Sequence, residues 1–310
     1  MNLKKKNITV ASTLLFILVG VFYAILPEYW QEKIYWKLSA PIRFVQTANL
    51  AEEVEQHRLE MQTFYNDECL HGEHAYIAHG GGVGSYTYTN SVEAFADSIA
   101  KGFKFIEIDL LETADGHLIG AHSWNDLAKF TGRSAEELQK LPLRELEKLK
   151  INGNLKILSG GGILSFLRDN PNIILVTDKI ENYGLLLKEI PLPERMIVET
   201  DWRETPEARY KYLKALQAGV KYPAYSAVWN LDYVEKYEFP IIVVSASQIN
   251  SSPEAPEKLR KLHQKGVTIM VCNSKDNVYF IKEHLGQTVS MIYTDKWYPK
   301  GPSPLGTTEH

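Results

Sequence analysis

From Ala75 onward, short apolar runs with strand character alternate with stretches of helical pattern. Several of the helical stretches end in glycine, which commonly stops a helix. This alternation predicts a parallel α/β fold, most simply a TIM (β/α)8 barrel over residues 73–300. The internal proline of Tyr222–Val228 makes that run the weakest strand, since proline cannot donate to a ladder. Nine runs compete for eight strand positions: AYIAHG, FKFIEIDLL, HLIGAH, IILVTD, MIVET, YPAYSAV, IIVVSAS, VTIMVCN and SMIYTD.

The N-terminal region has a different character. Three lysines at positions 4–6 precede an apolar run from Ile8 to Leu26, which is long enough to span a bilayer as a helix. No small-residue cleavage pattern follows, so residues 1–27 are predicted to be a cytoplasmic tip and an uncleaved anchor. Residues 28–72 would form a juxtamembrane stalk and residues 301–310 a tail. The lysines place the barrel on the extracytoplasmic side of the cell membrane, and a cleaved signal peptide is the alternative.

Two histidines and two acids lie near the ends of three strand-like runs. Because strand side chains alternate between faces, each polar residue shares a face with an apolar neighbour of its own run. The groups are Ile77 with His79, Phe105 with Glu107 and Asp109, and Leu118 with Gly120 and His122. Paired carboxylates that hold a metal between two histidines are typical of phosphoryl transfer or hydrolysis. Strand ends that converge in this way predict a site at one end of the barrel.

Composition and missing motifs exclude other functions. The formal net charge of −4 argues against a nucleic-acid partner. The sequence has 2 cysteines, Cys69 and Cys272, which are either paired or two separate thiols. The HGGG segment also occurs in lipase oxyanion loops, but no G-x-S-x-G elbow accompanies it.

The segments IAHGGG, TNSVEAF and GFKFIEIDLLETADGHLIGAHSW resemble the glycerophosphodiester phosphodiesterase family. That family carries His-Arg-Gly, then Glu-x-Asp, then Thr-x-Asp-Gly, then His-Asp, in the same order. The similarity continues through IILVTDK, VTIMVCNS and SMIYTDKW, and it covers roughly Ala75 to Trp297.

The resemblance implies a role for each matching residue. His79 and His122 correspond to the two catalytic histidines of the family, one a general base and the other a general acid. Glu107 and Asp109 correspond to ligands of a divalent metal, either Ca²⁺ or Mg²⁺. Asp178 would be the third acidic ligand, where the family usually has glutamate.

The chain departs from the family pattern beside His79. Gly80 stands in place of the family's arginine, which would hold the phosphate as a bidentate fork. Lys179 is a candidate to supply the missing charge, although a regular strand would point it away from Asp178, and a bulge would be needed to bring it back. Backbone amides at Gly80 and Gly81 would contact the phosphate as well. Trp297 is a candidate for the pocket wall.

These observations predict a metal-dependent phosphodiesterase that hydrolyses a glycerophosphodiester or a related lipid head-group phosphodiester. The partners would be this small-molecule or lipid substrate and the membrane, with no nucleic acid. One alternative is a relative of the sphingomyelinase D and phosphoinositide phospholipase C barrels. The other is a barrel that binds an envelope ligand without turnover.

Overall fold

A computed structural model describes residues 76–200, 206–226, 231, 234 and 239–301. The predicted anchor, the stalk and all but the first residue of the tail lie outside these residues, as does Cys69. None of the helices in the described ranges combines the length and apolar character that a bilayer span requires.

Eight parallel strands close into a barrel, which confirms the predicted (β/α)8 architecture. The barrel strands are β1 (Tyr76–Ala78), β2 (Phe105–Glu112), β6 (Ile174–Asp178), β7 (Met196–Glu199), β8 (Tyr222–Ser226), β9 (Ile241–Ser245), β10 (Thr268–Cys272) and β11 (Met291–Thr294). Closure occurs at β1, which pairs in parallel with both β2 and β11. The remaining barrel strands pair in chain order from β2 through β6 to β11.

The surplus strand is not the one that the sequence indicates. Tyr222–Ser226 is β8 of the barrel, and Pro223 is tolerated because the ladder with β9 begins only at Tyr225. The extra strand is β3 (Leu118–Gly120), which pairs antiparallel with β2. Only residues 113–117 connect the two, and a parallel crossover needs a dozen or more residues. This connection forces a hairpin.

Helices surround the barrel. They are α1 (Val92–Ala100), α2 (Trp124–Thr131), α3 (Ala135–Leu138), α4 (Leu143–Leu146), α5 (Gly160–Asp169), α6 (Tyr183–Glu189), α7 (Pro206–Ala218), α8 (Ala246–Ser251), α9 (Ala255–Gln264) and α10 (Val278–His284). A small hairpin, β4 (Lys150–Ile151) with β5 (Leu155–Lys156), lies between α4 and α5. The helices α2 to α4 belong to an excursion with its own apolar cluster, which includes Leu127, Leu138 and Leu146.

Side-chain alternation divides the core into two layers. Ile77, Phe105 and Val176 point into the barrel and belong to its interior cluster. Their strand neighbours Ile106 and Leu175 point outward and pack in the layer beneath the helices. Glu107 and Asp109 share the inward face of β2 with Phe105 and lie towards the C-terminal end of the barrel, as the alternation predicts.

Candidate active site

Polar side chains from the C-terminal ends of the strands surround a cavity of about 280 Å³. Six residues singled out from the sequence line it: His79, Glu107, Asp109, His122, Asp178 and Lys179. Among the lining residues that sequence reasoning missed are Tyr88, Glu199, Cys272 and Tyr293. Strand-end position alone signals Glu199, since it closes the apolar run of β7.

Three carboxylates form the acidic centre of this cavity. Oxygens of Glu107, Asp109 and Asp178 all lie within 4.8 Å of one another. Asp109 and Asp178 are register partners on adjacent strands, which explains their proximity. Asp178 Oδ1 is buried and has no hydrogen-bond partner among the described residues.

Burial and mutual repulsion perturb these acids. Burial, followed by the charge of Asp109, raises the pKa of both Glu107 and Asp178 well above the ordinary range. Burial acts in the same direction on Asp109, but the charge and hydrogen bond of Lys179 and a hydrogen bond from Asn90 outweigh it, so that its pKa is lowered. A cluster of this kind gains stability from added positive charge.

The donor set fits a hard divalent cation. Calcium binds carboxylate oxygens at about 2.3–2.6 Å, so oxygens on opposite sides of one ion lie about 5 Å apart. The separations in the acidic centre fall within that limit, and the unpartnered oxygen of Asp178 is available as a ligand.

Lys179 turns into the cavity by a change of backbone conformation. Its φ of 61° lies in the left-handed region, directly after the end of β6. The side chain therefore reaches Asp109 Oδ1 at 2.6 Å and Asp178 Oδ2 at 3.2 Å. The charges of Asp178 and Asp109 more than offset burial and raise the pKa of Lys179. In a regular strand the Lys179 side chain would point away from Asp178. The left-handed backbone at Lys179 turns it back into the cavity, as the expected bulge would have done.

Each histidine is backed by an aspartate. Asp295, which follows β11, lies 3.1 Å from His79 Nδ1. Asp126, in the first turn of α2, lies 2.8 Å from His122 Nδ1 and also accepts from Ser123 and Lys129. Hydrogen bonds from Lys129 and Ser123 hold the pKa of Asp126 below its usual range. A carboxylate at Nδ1 favours the tautomer with its proton there, which leaves Nε2 of each ring for chemistry.

The glycine loop supports the acidic centre. The amide of Gly80 donates to Glu107 Oε2 at 2.6 Å, so in this structure its hydrogen bond goes to the protein and not to a phosphate. Gly80 and Gly81 are buried and do not belong to the cavity wall. Trp297 also lies outside the wall, where its indole donates to the Asp276 carbonyl and its ring packs on the outer layer of the core.

Comparison with known proteins agrees with this geometry. Residues 79–181 match the model of the glycerophosphoryl diester phosphodiesterase family. This match confirms the resemblance to the glycerophosphodiester phosphodiesterase family that the motifs indicate, and the members of that family are phosphoric diester hydrolases. No curated protein sequence matches the chain.

Solved structures of low sequence identity share the fold. A glycerophosphodiester phosphodiesterase from Thermotoga maritima is 20% identical, with a TM-score of 0.57, over 74% of this chain and 97% of its own. One from Parabacteroides distasonis is 19% identical, with a TM-score of 0.57, over 77% and 88%. A phosphodiesterase from Oleispira antarctica, in complex with the product sn-glycerol-3-phosphate, is 14% identical, with a TM-score of 0.56, over 73% and 93%.

Proposed function

We propose that the chain is a divalent-metal-dependent phosphodiesterase that hydrolyses a glycerophosphodiester or a related lipid head-group phosphodiester. The observation that carries the proposal is a single cavity in which two aspartate-backed histidines accompany three clustered carboxylates. Imidazoles suit proton transfer near neutral pH, whereas buried carboxylates suit a hard cation.

Three groups of residues have different roles in the proposed cleavage of the phosphodiester. Glu107, Asp109 and Asp178 would hold Ca²⁺ or Mg²⁺, which neutralises phosphate charge and orients the reacting oxygens. His79 and His122 act as the general acid and the general base through Nε2, one taking a proton from the attacking oxygen and the other giving one to the leaving oxygen. Asp295 and Asp126 hold the two rings in the reactive tautomer.

Lys179 is proposed to contact the phosphate. Its ammonium lies at the cavity wall between two of the carboxylates. A cation bound by these carboxylates competes with Lys179 for Asp109 and Asp178. That competition favours a contact between Lys179 and a phosphoryl oxygen instead.

The size of the cavity favours a small reacting portion of substrate. A volume of about 280 Å³ suits a phosphate with a short alcohol such as glycerol. An adjoining open concavity of about 560 Å³ shares Lys179 and also includes Glu112 and Lys214 in its wall. It would receive a larger alcohol on the other side of the phosphate.

The full-length chain, offered a panel of glycerophosphodiesters and lysophospholipids, tests this proposal. Turnover with Ca²⁺ or Mg²⁺ should disappear in chelator and in His79→Ala and His122→Ala. His117→Ala is the matched control, because His117 also pairs with a carboxylate, Glu189, but lies outside the cavity wall. Metal binding without turnover of any phosphodiester would instead favour a barrel that binds an envelope ligand.

We also propose that residues 8–26 anchor the chain in the cell membrane, with the barrel on the extracytoplasmic side. The apolar length and the preceding lysines support this orientation. Protease added to intact cells should digest the barrel, and extraction at alkaline pH should leave the chain in the membrane fraction. Release of the barrel into the medium would indicate a cleaved signal peptide.

A further inference from the structure

The Tyr88 ring lies close to both histidines. Its ring centroid lies 4.3 Å from that of His79 and 5.7 Å from that of His122. The side chain lines the same cavity as Glu107 and Asp109. Its phenol makes no hydrogen bond with any described residue, so this donor remains available to a ligand in the cavity.

The backbone around Tyr88 is built to hold this position. Tyr88 has a φ of 59°, a conformation that bulky residues rarely adopt and that costs about 1–3 kcal/mol. The neighbouring amide of Asn90 donates to the Gly80 carbonyl at 2.8 Å. The Asn90 side chain also bonds Asp109 twice, at 2.9 and 3.0 Å. The loop that carries Tyr88 is thereby tied to the acidic centre.

Gly80 and Tyr88 are sterically dependent on each other. Gly80 has a φ of 55°, and a Cβ atom at this position would lie 2.6 Å from the Cα of Tyr88. No larger residue fits at position 80 while Tyr88 keeps its place. Tyr88 can therefore keep its place in the cavity only with glycine, and not arginine, at position 80.

The phenol is a neutral donor in a negatively charged surrounding. Burial, and then the charges of Asp295 and Glu107, raise its pKa above the ordinary value. Tyr88 therefore keeps its proton at neutral pH and can donate it in a hydrogen bond to an anionic oxygen.

We propose that the Tyr88 phenol donates a hydrogen bond to a non-bridging phosphoryl oxygen of the substrate. It replaces the contact that an arginine at position 80 would make. This inference rests on the proposed function, because it assumes that the phosphodiester is held between His79 and His122.

The test compares Tyr88→Phe with the unchanged full-length chain. Phenylalanine keeps the ring beside the two histidines and removes only the hydroxyl, so folding should be preserved. Loss of a neutral donor to a charged acceptor should lower kcat/KM by roughly 10- to 100-fold. Tyr86→Phe is the matched control, since Tyr86 lies in the same loop but packs against the apolar cluster of the excursion.

Binding of inorganic phosphate, measured by calorimetry with Mg²⁺ present, separates ligand contact from ring positioning. Tyr88→Phe should weaken phosphate binding by about tenfold, while Tyr86→Phe should not change it. Equal phosphate affinity in Tyr88→Phe and the unchanged chain would overturn the inference, as would absence of phosphate binding to the unchanged chain. A chain that binds phosphate through Tyr88 but hydrolyses no phosphodiester would contradict the proposed function alone.

Discussion

Lys179→Met tests whether the acidic centre needs a positive charge. The Lys179 ammonium forms ion pairs with two members of this group, at 2.6 Å from Asp109 and 3.2 Å from Asp178. Methionine keeps most of the aliphatic stem and removes only the charge. Without metal, the variant leaves three mutually close carboxylates that form no ion pair with a lysine or arginine among the described residues.

The expected loss of stability follows from burial. Removing one partner of a fully buried ion pair costs about 3–5 kcal/mol. The Asp109 side chain is only 4% exposed, but that of Lys179 is 25% exposed, so solvent screens part of the interaction. We therefore expect a loss of about 2–4 kcal/mol in chelator. For a domain of this size that loss lowers Tm by roughly 5–15 °C.

Metal should reverse much of this loss. A ligand at a hundred times its Kd stabilises the folded state by about 2.7 kcal/mol. Because the cation supplies the charge that the variant lacks, it should raise Tm more in Lys179→Met than in the unchanged chain. Thermal unfolding followed by circular dichroism, in chelator and with Ca²⁺ or Mg²⁺, measures both effects.

Lys188→Met is the matched control, since Lys188 is an exposed lysine of α6 outside the cavity. Its Tm should stay within about 1–2 °C of the unchanged chain, as surface substitutions usually do. An unchanged Tm of Lys179→Met in chelator, or equal metal stabilisation of both proteins, would refute the reasoning.

Three further variants probe the surrounding structure. Gly80→Arg, which introduces the family residue, should lower both Tm and kcat/KM. Its Cβ would collide with the Tyr88 backbone, and its left-handed conformation costs at least about 1–2 kcal/mol. Higher activity would contradict this steric account. Asp295→Asn should lower kcat at least tenfold with little change in KM, because it releases the His79 tautomer, and steady-state kinetics should show this split. Burial raises the pKa of Glu199 to about 7, so this carboxyl stabilises the fold below about pH 4.5 and loses that contribution as the pH rises through 7. Glu199→Gln does not titrate and should gain up to about 3 kcal/mol over the unchanged chain between pH 5 and pH 8, measured by urea unfolding in chelator; a constant difference would contradict the assigned pKa.

Strand periodicity was enough to place Glu107 and Asp109 on one inward face, whereas Asp178 was predicted from the family resemblance. Glu107, Asp109 and Asp178 lie in phase with inward-facing apolar residues, and the alternation of faces is a local property. Parallel neighbouring strands then bring the three acids to one end of the barrel. The prediction of the surplus strand is wrong for a different reason: the proline in Tyr222–Val228 does not exclude that run from the barrel, whereas the short connection before β3 prevents a parallel crossover.

Residues placed by loops could not be predicted in the same way. Lys179 and Tyr88 both depend on a positive φ, and sequence gives little warning of that conformation outside glycine and asparagine. Asp295 reaches His79 from the opposite side of the barrel seam, a contact that requires the closed structure. Asp126 lies four positions after His122 at the start of α2, so a helix-start pattern after that histidine was the available signal.

The presence of Gly80 in place of the family's arginine does not by itself argue for loss of catalysis. A barrel without chemistry would gain stability if apolar residues replaced its buried carboxylates, since desolvation of charge is expensive. Here three acids remain close together, one carboxylate oxygen has no hydrogen-bond partner among the described residues, and the glycine loop donates to Glu107. The close carboxylates and the unpartnered oxygen destabilise the barrel without a ligand, whereas the hydrogen bond from the glycine loop stabilises Glu107. Together they favour a site maintained for a bound cation and an anionic substrate.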